Sequence, residues 1–305
     1  MPSKHPHHKH DHTHAPNSFG VAFAVGTALN LGLVLTELSF GFLSNSLALI
    51  SDGVHNFSDV LGLLLAWGGS WLTTRQPSAS HTYGYRRASI LAALGNAALL
   101  LVATGGLFVE AAQRLTNAQP VASGTVLWVA SAAIVINTAT ALLFLRRRAH
   151  DLNIKSAFLH MAGDAAVSLG VVVAALVIGQ TGWLWLDPAT SIAVAVVILW
   201  SGWGLMRDTL NLALDAVPSG IDSSTVENYL TRLPGVTEVH DLHIWGMSTT
   251  ETALTAHLVC PCVELNDQLL AEIAHELEHR FCIQHATIQI ETGAMECRLA
   301  PAHVL

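Results

Sequence analysis

Charged residues are scarce in this sequence. Only 12% of the 305 residues are Asp, Glu, Lys or Arg, whereas 51% are hydrophobic. A soluble globular domain carries roughly 25% charged residues. Most charges gather at the start, in two short basic segments and after Arg207, so that long apolar stretches lie between them. This distribution excludes an ordinary water-soluble domain before Arg207 and predicts membrane spans there.

Positive charge and cysteine are also limited. The 14 Lys and Arg leave a formal net charge of −8, which argues against a nucleic-acid partner, because such a partner would require a basic face. No cleavable signal peptide is visible, because the start is polar and rich in His. The cysteines indicate no disulfide framework, and we expect free thiols in a reducing compartment. They are Cys260, Cys262, Cys282 and Cys297.

The long apolar stretches predict six spans of about twenty residues each or slightly more. Their ranges are 19–43, 47–72, 88–115, 121–145, 154–178 and 184–206. The basic residues of the loops all follow an even number of spans, Arg86 and Arg87 after the second and Arg146 to Arg148 after the fourth. Because cytoplasmic loops carry the excess of Lys and Arg, we expect both termini to be cytoplasmic.

The part of the chain after Arg207 has the composition of a small soluble α+β domain. Its patterns predict a helix, two strands, an amphipathic helix and a last strand, at 223–233, 236–245, 252–259, 266–281 and 286–290. This αββαβ order gives a modest core, so dimerisation is expected to support it. The predicted organisation is a His-rich tail, a transmembrane domain, a cytoplasmic domain and a C-terminal tail, at 1–17, 18–208, 209–295 and 296–305.

Two predicted spans carry the same pair of polar residues. Span two has His55 and Asp59, and span five has His160 and Asp164. Residues four apart lie on one face of a helix. Two such faces would present two imidazoles and two carboxylates, a set suited to tetrahedral Zn²⁺. Isolated polar residues satisfied by neighbours are the plain alternative, but an intramembrane Asp costs at least about 2.5 kcal/mol and is rare without a function.

Four motifs give the sequence its resemblance to the cation diffusion facilitator family of zinc and related metal exporters. They are SDGVHNFSD at 51–59, HTYGYRR at 81–87, HMAGD at 160–164 and VHDLHIW at 239–245. The resemblance implies that His55, Asp59, His160 and Asp164 form the transport site, with His55 favouring Zn²⁺. It also implies a homodimer in the lipid bilayer, a metallochaperone-like cytoplasmic domain, exchange of metal for protons, and a bacterial inner membrane.

The family's secondary metal sites match this sequence only in part. In the cytoplasmic domain the resemblance points to His240, His257, Asp267, Gln289 and Glu291. Because a His is common where Gln289 stands, we expect a single site from His240, His257 and Glu291. His243, and Cys297 with His303, are further candidates. In the loop after span two only His81 remains of three ligands, because Ser78 and Tyr85 occupy the other places, so that site is expected to be absent or very weak.

Several further features leave alternatives open. His275 and His279 form an H-E-x-x-H, a zinc-peptidase signature, although a solvated helix face explains them as well. A membrane-bound metal sensor is a second alternative to a transporter. The His-rich tract of the N-terminal tail is expected to gather Zn²⁺, and Asp52 and Glu37 are expected near the transport site or in helix–helix hydrogen bonds. Zn²⁺ is predicted as cargo and regulatory ion, without an organic cofactor.

Overall fold

A computed structural model describes most of the chain. The described residues are 21–73, 75–145, 152–261, 267–295 and 297–300, without the side chains of 21–27, 63, 66–67, 70, 73, 143–145 and 152–160. The predictions for the His-rich tail, for Arg146 to Arg148 and for His303 therefore lie outside the described residues.

Each of the six predicted spans coincides with a long helix. The helices are α1 (Val21–Ser44), α2 (Leu47–Thr73), α3 (Ala88–Thr116), α4 (Ser123–Leu145), α5 (Leu152–Thr181) and α6 (Leu186–Ala213). Among the described residues, four segments are long and apolar enough to cross a membrane: Ala88–Thr116, Ser123–Leu142, Met161–Thr181 and Leu186–Ala213. A shorter apolar segment, Ala28–Ser44, lies in α1. The predicted helical transmembrane domain is confirmed.

The first of two compact units is drawn from Met1–Asn56 and Pro120–Asp187. Within it α4 packs along α5, and α1 packs against α4. Its apolar core includes Leu49, Ala130 and Val171. The start of α2 lies very close to α1, because a Cβ added at Gly53 would stand 3.0 Å from the Leu38 side chain. Only glycine fits that contact without displacing a neighbour, and so the polar face of α2 is held against α1.

The second compact unit is drawn from Phe57–Gln119 and Pro188–Leu305. It includes the C-terminal domain, which contains α7 (Ser223–Thr231), β1 (Glu238–Gly246), β2 (Thr252–Val259), α8 (Asp267–Phe281) and β3 (His285–Glu291). The predicted order αββαβ is confirmed, with ends shifted by a few residues. The sheet order is β1-β2-β3, with β1 and β2 antiparallel and β2 and β3 parallel.

The helix α8 covers the sheet with the predicted apolar stripe. Ile273 and Leu277 are buried to 1% and 0% exposure, and Leu269 and Phe281 pack partly buried at the ends of the stripe. Residues four apart share a helix face, so the stripe buries one side and leaves the other to solvent. The opposite face of the sheet is therefore the one available for polar side chains.

Strand β1 is irregular at its centre. Its register against β2 shifts between His240 and His243, and Asp241 there has a φ of +51°. A bulge of this kind re-aims the side chains around it. Asp241 and His243 consequently turn towards each other, while His240 stays directly opposite His257 on β2.

Candidate metal centres

The first candidate centre lies between α2 and α5 in the first unit. The Nε2 atom of His55 stands 3.4 Å from Oδ1 of Asp164, and their side chains are 16% and 4% exposed. The structure thus brings together one member of each predicted pair from two separate helices. A neutral imidazole and a carboxylate at this separation can ligate one divalent cation, because both offer lone pairs to the space between them.

The other two predicted ligands belong to the same helices. Asp59 lies one turn after His55 on α2, and position 160 lies one turn before Asp164 on α5. The side chain of His160 is outside the described residues. Helical spacing directs each pair along one face of its helix.

Two buried carboxylates lie close to the His55 position, Asp52 one turn before it on α2 and Glu37 on α1. Asp52 is fully buried on α2, and its Oδ2 accepts a hydrogen bond of 2.8 Å from the hydroxyl of Ser168 on α5. Glu37 is fully buried on α1, and its Oε2 accepts a hydrogen bond of 2.8 Å from the amide of Asn56. These polar pairs join α2 to both neighbouring helices. They also place acidic groups close to the candidate centre, in an environment where such groups are costly without a role.

Asp187 holds the N-terminus of α2 and was not singled out by the sequence. Its Oδ2 accepts the Leu47 backbone N–H at 2.8 Å, and the Ser46 hydroxyl donates to its other oxygen. The carboxylate is 2% exposed. An anion at a helix N-terminus satisfies unpaired N–H groups and complements the helix dipole. The signal available in the sequence was an Asp followed by Pro188 near the start of the sixth predicted span.

The second candidate centre lies on the sheet of the C-terminal domain. His240 and His257 face each other across β1 and β2, and Glu291 on β3 lies opposite Val259, two residues further along β2. The Nε2 of His240 is 3.5 Å from one Glu291 oxygen, and the Nδ1 of His257 is 3.0 Å from the other. Both histidines are buried. The structure therefore brings the three predicted residues together.

Cys297 joins this group from the segment after β3. Its Sγ is 3.6 Å from Nδ1 of His257. Donor atoms of His240, His257, Glu291 and Cys297 all lie within 4.8 Å of one another. The sequence offered Cys297 only as a partner of His303. Burial acts to raise the pKa of the Glu291 carboxyl, but hydrogen bonds from Gln289 and Cys297, with the nearby histidines, outweigh it and lower that pKa below its ordinary value.

The remaining residues suggested by the family resemblance lie outside this group. The Gln289 amide donates a hydrogen bond of 2.9 Å to Glu291, so it orients the carboxylate. Asp267 is exposed in the first turn of α8. His243 is 44% exposed, and its Nε2 is 2.9 Å from Asp241. Asp241 in turn lies 3.4 Å from Nε2 of His257, which gives it a supporting position beside the candidate centre.

The loop after α2 and the H-E-x-x-H of α8 show other kinds of contact. The His81 ring stacks on Tyr85 with centroids 4.7 Å apart, and its Nδ1 is 3.1 Å from the Ser80 hydroxyl. His275 and His279 lie on the exposed face of α8 with ring centroids 4.2 Å apart. Within the described ranges, neither His81 nor the pair of His275 and His279 belongs to a group of three or more residues that could hold a metal ion.

Two basic residues used above to predict orientation also contact the C-terminal part of the second unit. Arg86 forms an ion pair with Glu251, and Arg87 forms one with Asp215. The Thr249 backbone N–H donates to the Ser89 hydroxyl at 3.2 Å. Pairs this exposed contribute little stability individually, so their effect is chiefly to hold the β1–β2 turn and the segment after α6 against the start of α3.

Comparison with known proteins agrees with the helical domain and the α+β domain. The family described as "Cation efflux transmembrane domain" matches residues 23–212, and "Cation efflux protein, cytoplasmic domain" matches residues 218–293. The chain is 36% identical to the zinc transporter ZitB of Escherichia coli K12, over 93% of this chain and 92% of that protein.

Two further relatives carry names with a wider range of metals. The cadmium, cobalt and zinc/H(+)-K(+) antiporter of Bacillus subtilis is 33% identical over 93% of this chain and 92% of that protein. The metal cation efflux system protein CzcD of Cupriavidus metallidurans is 33% identical over 97% of this chain and 93% of that protein. With both domains matched along almost the whole described chain, this protein belongs to the cation diffusion facilitator family and is a metal efflux transporter of the membrane.

Proposed function

We propose that this transporter exports Zn²⁺ from the cytoplasm in exchange for H⁺, through a site formed by His55, Asp59, His160 and Asp164. The observation that carries the proposal is the 3.4 Å approach of His55 to Asp164 between two helices. Two imidazoles and two carboxylates suit tetrahedral Zn²⁺, whereas an all-oxygen site suits harder ions. The same donor set accepts Cd²⁺, Co²⁺ and Ni²⁺, which are proposed as further cargo.

Proton exchange follows from the chemistry of the ligands. Zn²⁺ binds neutral imidazole and ionised carboxylate, so protonation of these groups competes with the metal. Histidine titrates close to neutral pH and is suited to such a competition. We infer that protons entering from the outer side displace the metal there and return inward on the emptied ligands. One relative is named as an antiporter of both H⁺ and K⁺. A transport assay in which K⁺ is replaced therefore distinguishes exchange for H⁺ from exchange for K⁺.

Alternating access is supported by the way the site is divided. One half belongs to α2 and the other to α5, so a relative shift of these helices would both form the site and open it. The hydrogen bond from Ser168 to Asp52 links the same two helices close by. A relative shift of α2 and α5 would break this hydrogen bond at the same time as it separates the metal ligands. Metal release and helix movement would then be coupled at neighbouring positions.

The cytoplasmic domain is proposed to bind a regulatory Zn²⁺ and to support a homodimer. The buried His240 and His257, together with Glu291, support the metal site. The small core of the domain and the match to the family's cytoplasmic domain support dimerisation. We further propose a bacterial inner membrane, which the family resemblance implies, and cytoplasmic termini, which the distribution of Lys and Arg supports.

Metal uptake into inverted membrane vesicles tests the proposal. Wild-type vesicles should accumulate Zn²⁺ when their interior is acidic and lose most of this uptake when the pH gradient is collapsed. Asp59→Ala should abolish uptake in both conditions. The matched control is Glu110→Gln, because Glu110 lies in α3 and forms an ion pair with Arg114 one turn along that helix. Uptake that ignores the gradient would contradict proton exchange, and uptake that survives Asp59→Ala would contradict the site.

A further inference from the structure

We propose that Cys297 supplies a thiolate that completes a four-ligand metal site with His240, His257 and Glu291 inside one protomer. This inference rests on the cytoplasmic site proposed above and deepens it. The earlier proposal required three residues and left the fourth position open. The site would then be built by a single chain, without a ligand from a second copy.

The chain reaches this position through a turn after β3. Gly293 has a φ of +73°, a conformation that favours glycine, and a Cβ there would meet the Val259 side chain at 3.2 Å. The turn returns the following residues towards β2. Cys297 is consequently partly buried, with its Sγ 3.6 Å from Nδ1 of His257.

The separations of the donor atoms fit a site that needs only a small contraction. The distances from Glu291 to His240 and to His257, and from Cys297 to His257, are 3.5, 3.0 and 3.6 Å. Zn²⁺ bonds of about 2.0 to 2.3 Å in a tetrahedron require donors roughly 3.3 to 3.8 Å apart. All four donors already lie within 4.8 Å of one another. Side-chain movements of about 1 Å would therefore suffice to reach the tetrahedral separations.

The buried His240 gives independent evidence for a metal ion at this position. Its side chain is 6% exposed, and neither ring nitrogen has a hydrogen-bond partner among the described residues. A buried nitrogen without a partner costs free energy, and such groups are few in native proteins. The Nε2 atom faces Glu291, so a cation between them would satisfy it.

His257 is supported from its other side. Its Nδ1 faces Glu291 and Cys297, whereas its Nε2 lies 3.4 Å from a carboxylate oxygen of Asp241. Histidines that bind metals usually direct their second nitrogen to a carboxylate or carbonyl, which fixes the ring and its tautomer. Asp241 owes this position to the bulge of β1, where its φ is +51°. The irregularity of β1 thus serves the candidate site.

The other described cysteines differ from Cys297 in ways that make them controls. Cys282 is exposed at the end of α8, and Cys260 is buried in the apolar core, where burial raises the pKa of its thiol. Neither belongs to a metal-binding group of the described chain. A sulfur ligand softens the site, so its affinity for Cd²⁺ relative to Zn²⁺ should exceed that of a site with only nitrogen and oxygen donors.

Cobalt substitution of the full-length protein tests the inference. The measurement uses Asp164→Ala in every variant, so that the transport site contributes little, and records the ultraviolet charge-transfer band between thiolate and Co²⁺. We expect the band in the Asp164→Ala protein and in its Cys282→Ser derivative. Cys297→Ser should lose the band, and its Co²⁺ affinity should fall by about tenfold or more. His257→Ala should lose the band and most of the Co²⁺ bound at this site, leaving chiefly the Co²⁺ held by the His-rich tail.

Three results would overturn the inference. The first is a band that persists in Cys297→Ser, which would assign the thiolate to another cysteine. The second is Co²⁺ binding without a band in the Asp164→Ala protein. The third is Co²⁺ binding that His257→Ala does not reduce. Zn²⁺ should also protect Cys297, and not Cys282, from alkylation. Because these readouts measure binding by a protein with Asp164 removed, a failure of the transport proposal would leave them unchanged.

Discussion

The two candidate metal centres of this protein are built on different kinds of scaffold. The membrane centre takes its residues from α2 and α5, each pair one helical turn apart. The cytoplasmic centre takes its residues from three hydrogen-bonded strands and the turn after them. Two helices can slide or tilt past each other at small cost, whereas strands are fixed in register by their backbone ladder. The first scaffold suits a site that must open, and the second suits one that keeps its metal.

The donor atoms of the two centres differ in a way that matches their scaffolds. The membrane centre offers imidazole and carboxylate, and protons that bind these groups close to neutral pH can displace the metal. The cytoplasmic centre adds the sulfur of Cys297 to two buried histidines. A thiolate holds Zn²⁺ and Cd²⁺ more firmly than an oxygen donor would. The proposed function therefore assigns transport to the weaker, exchangeable set of donors and retention of the metal to the stronger set.

Removing Asp164 should separate the two centres most sharply. Asp164→Ala removes a proposed ligand that lies next to His55. Losing a residue that merely supports a ligand typically costs about 10- to 100-fold, so zinc uptake should fall by more than that. Zinc resistance of cells should be lost at normal expression, while metal binding by the cytoplasmic domain persists. His275→Ala is the matched control and should keep resistance. Resistance that survives Asp164→Ala and disappears with His275→Ala would favour the metallopeptidase interpretation.

Removing His257 should produce the complementary result. His257→Ala deletes the imidazole that faces both Glu291 and Cys297, so metal affinity of the cytoplasmic domain should fall by about 100-fold. Uptake into vesicles should stay within a few-fold of wild type. Isothermal titration of the Asp164→Ala protein, with and without His257→Ala, measures the affinity. Abolished uptake at normal expression and unchanged folding would show that the two centres do not have separate roles.

Asp187 should support the membrane centre through the start of α2. Asp187→Asn removes the charge that accepts the Leu47 N–H, and hydrogen bonds to a charged group contribute about 1.5 to 3 kcal/mol. We expect a lower Tm in detergent, with reduced uptake as a consequence. Asp208→Asn, at an exposed position of α6, is the control and should leave the Tm unchanged. Equal Tm values for Asp187→Asn and Asp208→Asn would show that Asp187 does not stabilise the start of α2.

The smallest expected effect concerns the first helix of the cytoplasmic domain. Hydrogen bonds from the hydroxyls of Thr225 and Ser224 lower the pKa of the Asp222 carboxyl, the N-cap of α7. A depressed folded-state pKa contributes stability above the unfolded value near 3.8, and this contribution is lost as the pH falls through the folded value. Asp222→Asn should therefore flatten the acid limb of unfolding followed by circular dichroism. An unchanged acid limb would exclude this role.

The sequence predicted what depends on local pattern. The αββαβ order follows from alternation and helical periodicity, and the pairs on α2 and α5 follow from spacing within each span. It could not predict the contact of Asp187 with Ser46 and Leu47, because the partners are more than 100 residues apart along the chain. The bulge at Asp241 and the turn at Gly293 were also missed, since each depends on a backbone conformation with positive φ. Because Cys297 reaches His257 only through that turn, no local pattern in the sequence predicts that the two residues lie together.

The ligands of the metal in the membrane centre provide the most direct test. X-ray absorption at the zinc edge should be recorded on full-length protein carrying His257→Ala and Cys297→Ser, with the histidines of the N-terminal tail also replaced by Ala, so that bound Zn²⁺ occupies the membrane centre alone. A membrane centre formed by His55, Asp59, His160 and Asp164 should show nitrogen and oxygen donors only, with two imidazoles, and should lose one imidazole when His55→Ala is added. A spectrum that retains both imidazoles after His55→Ala, or one that shows a sulfur ligand, would contradict this set of ligands.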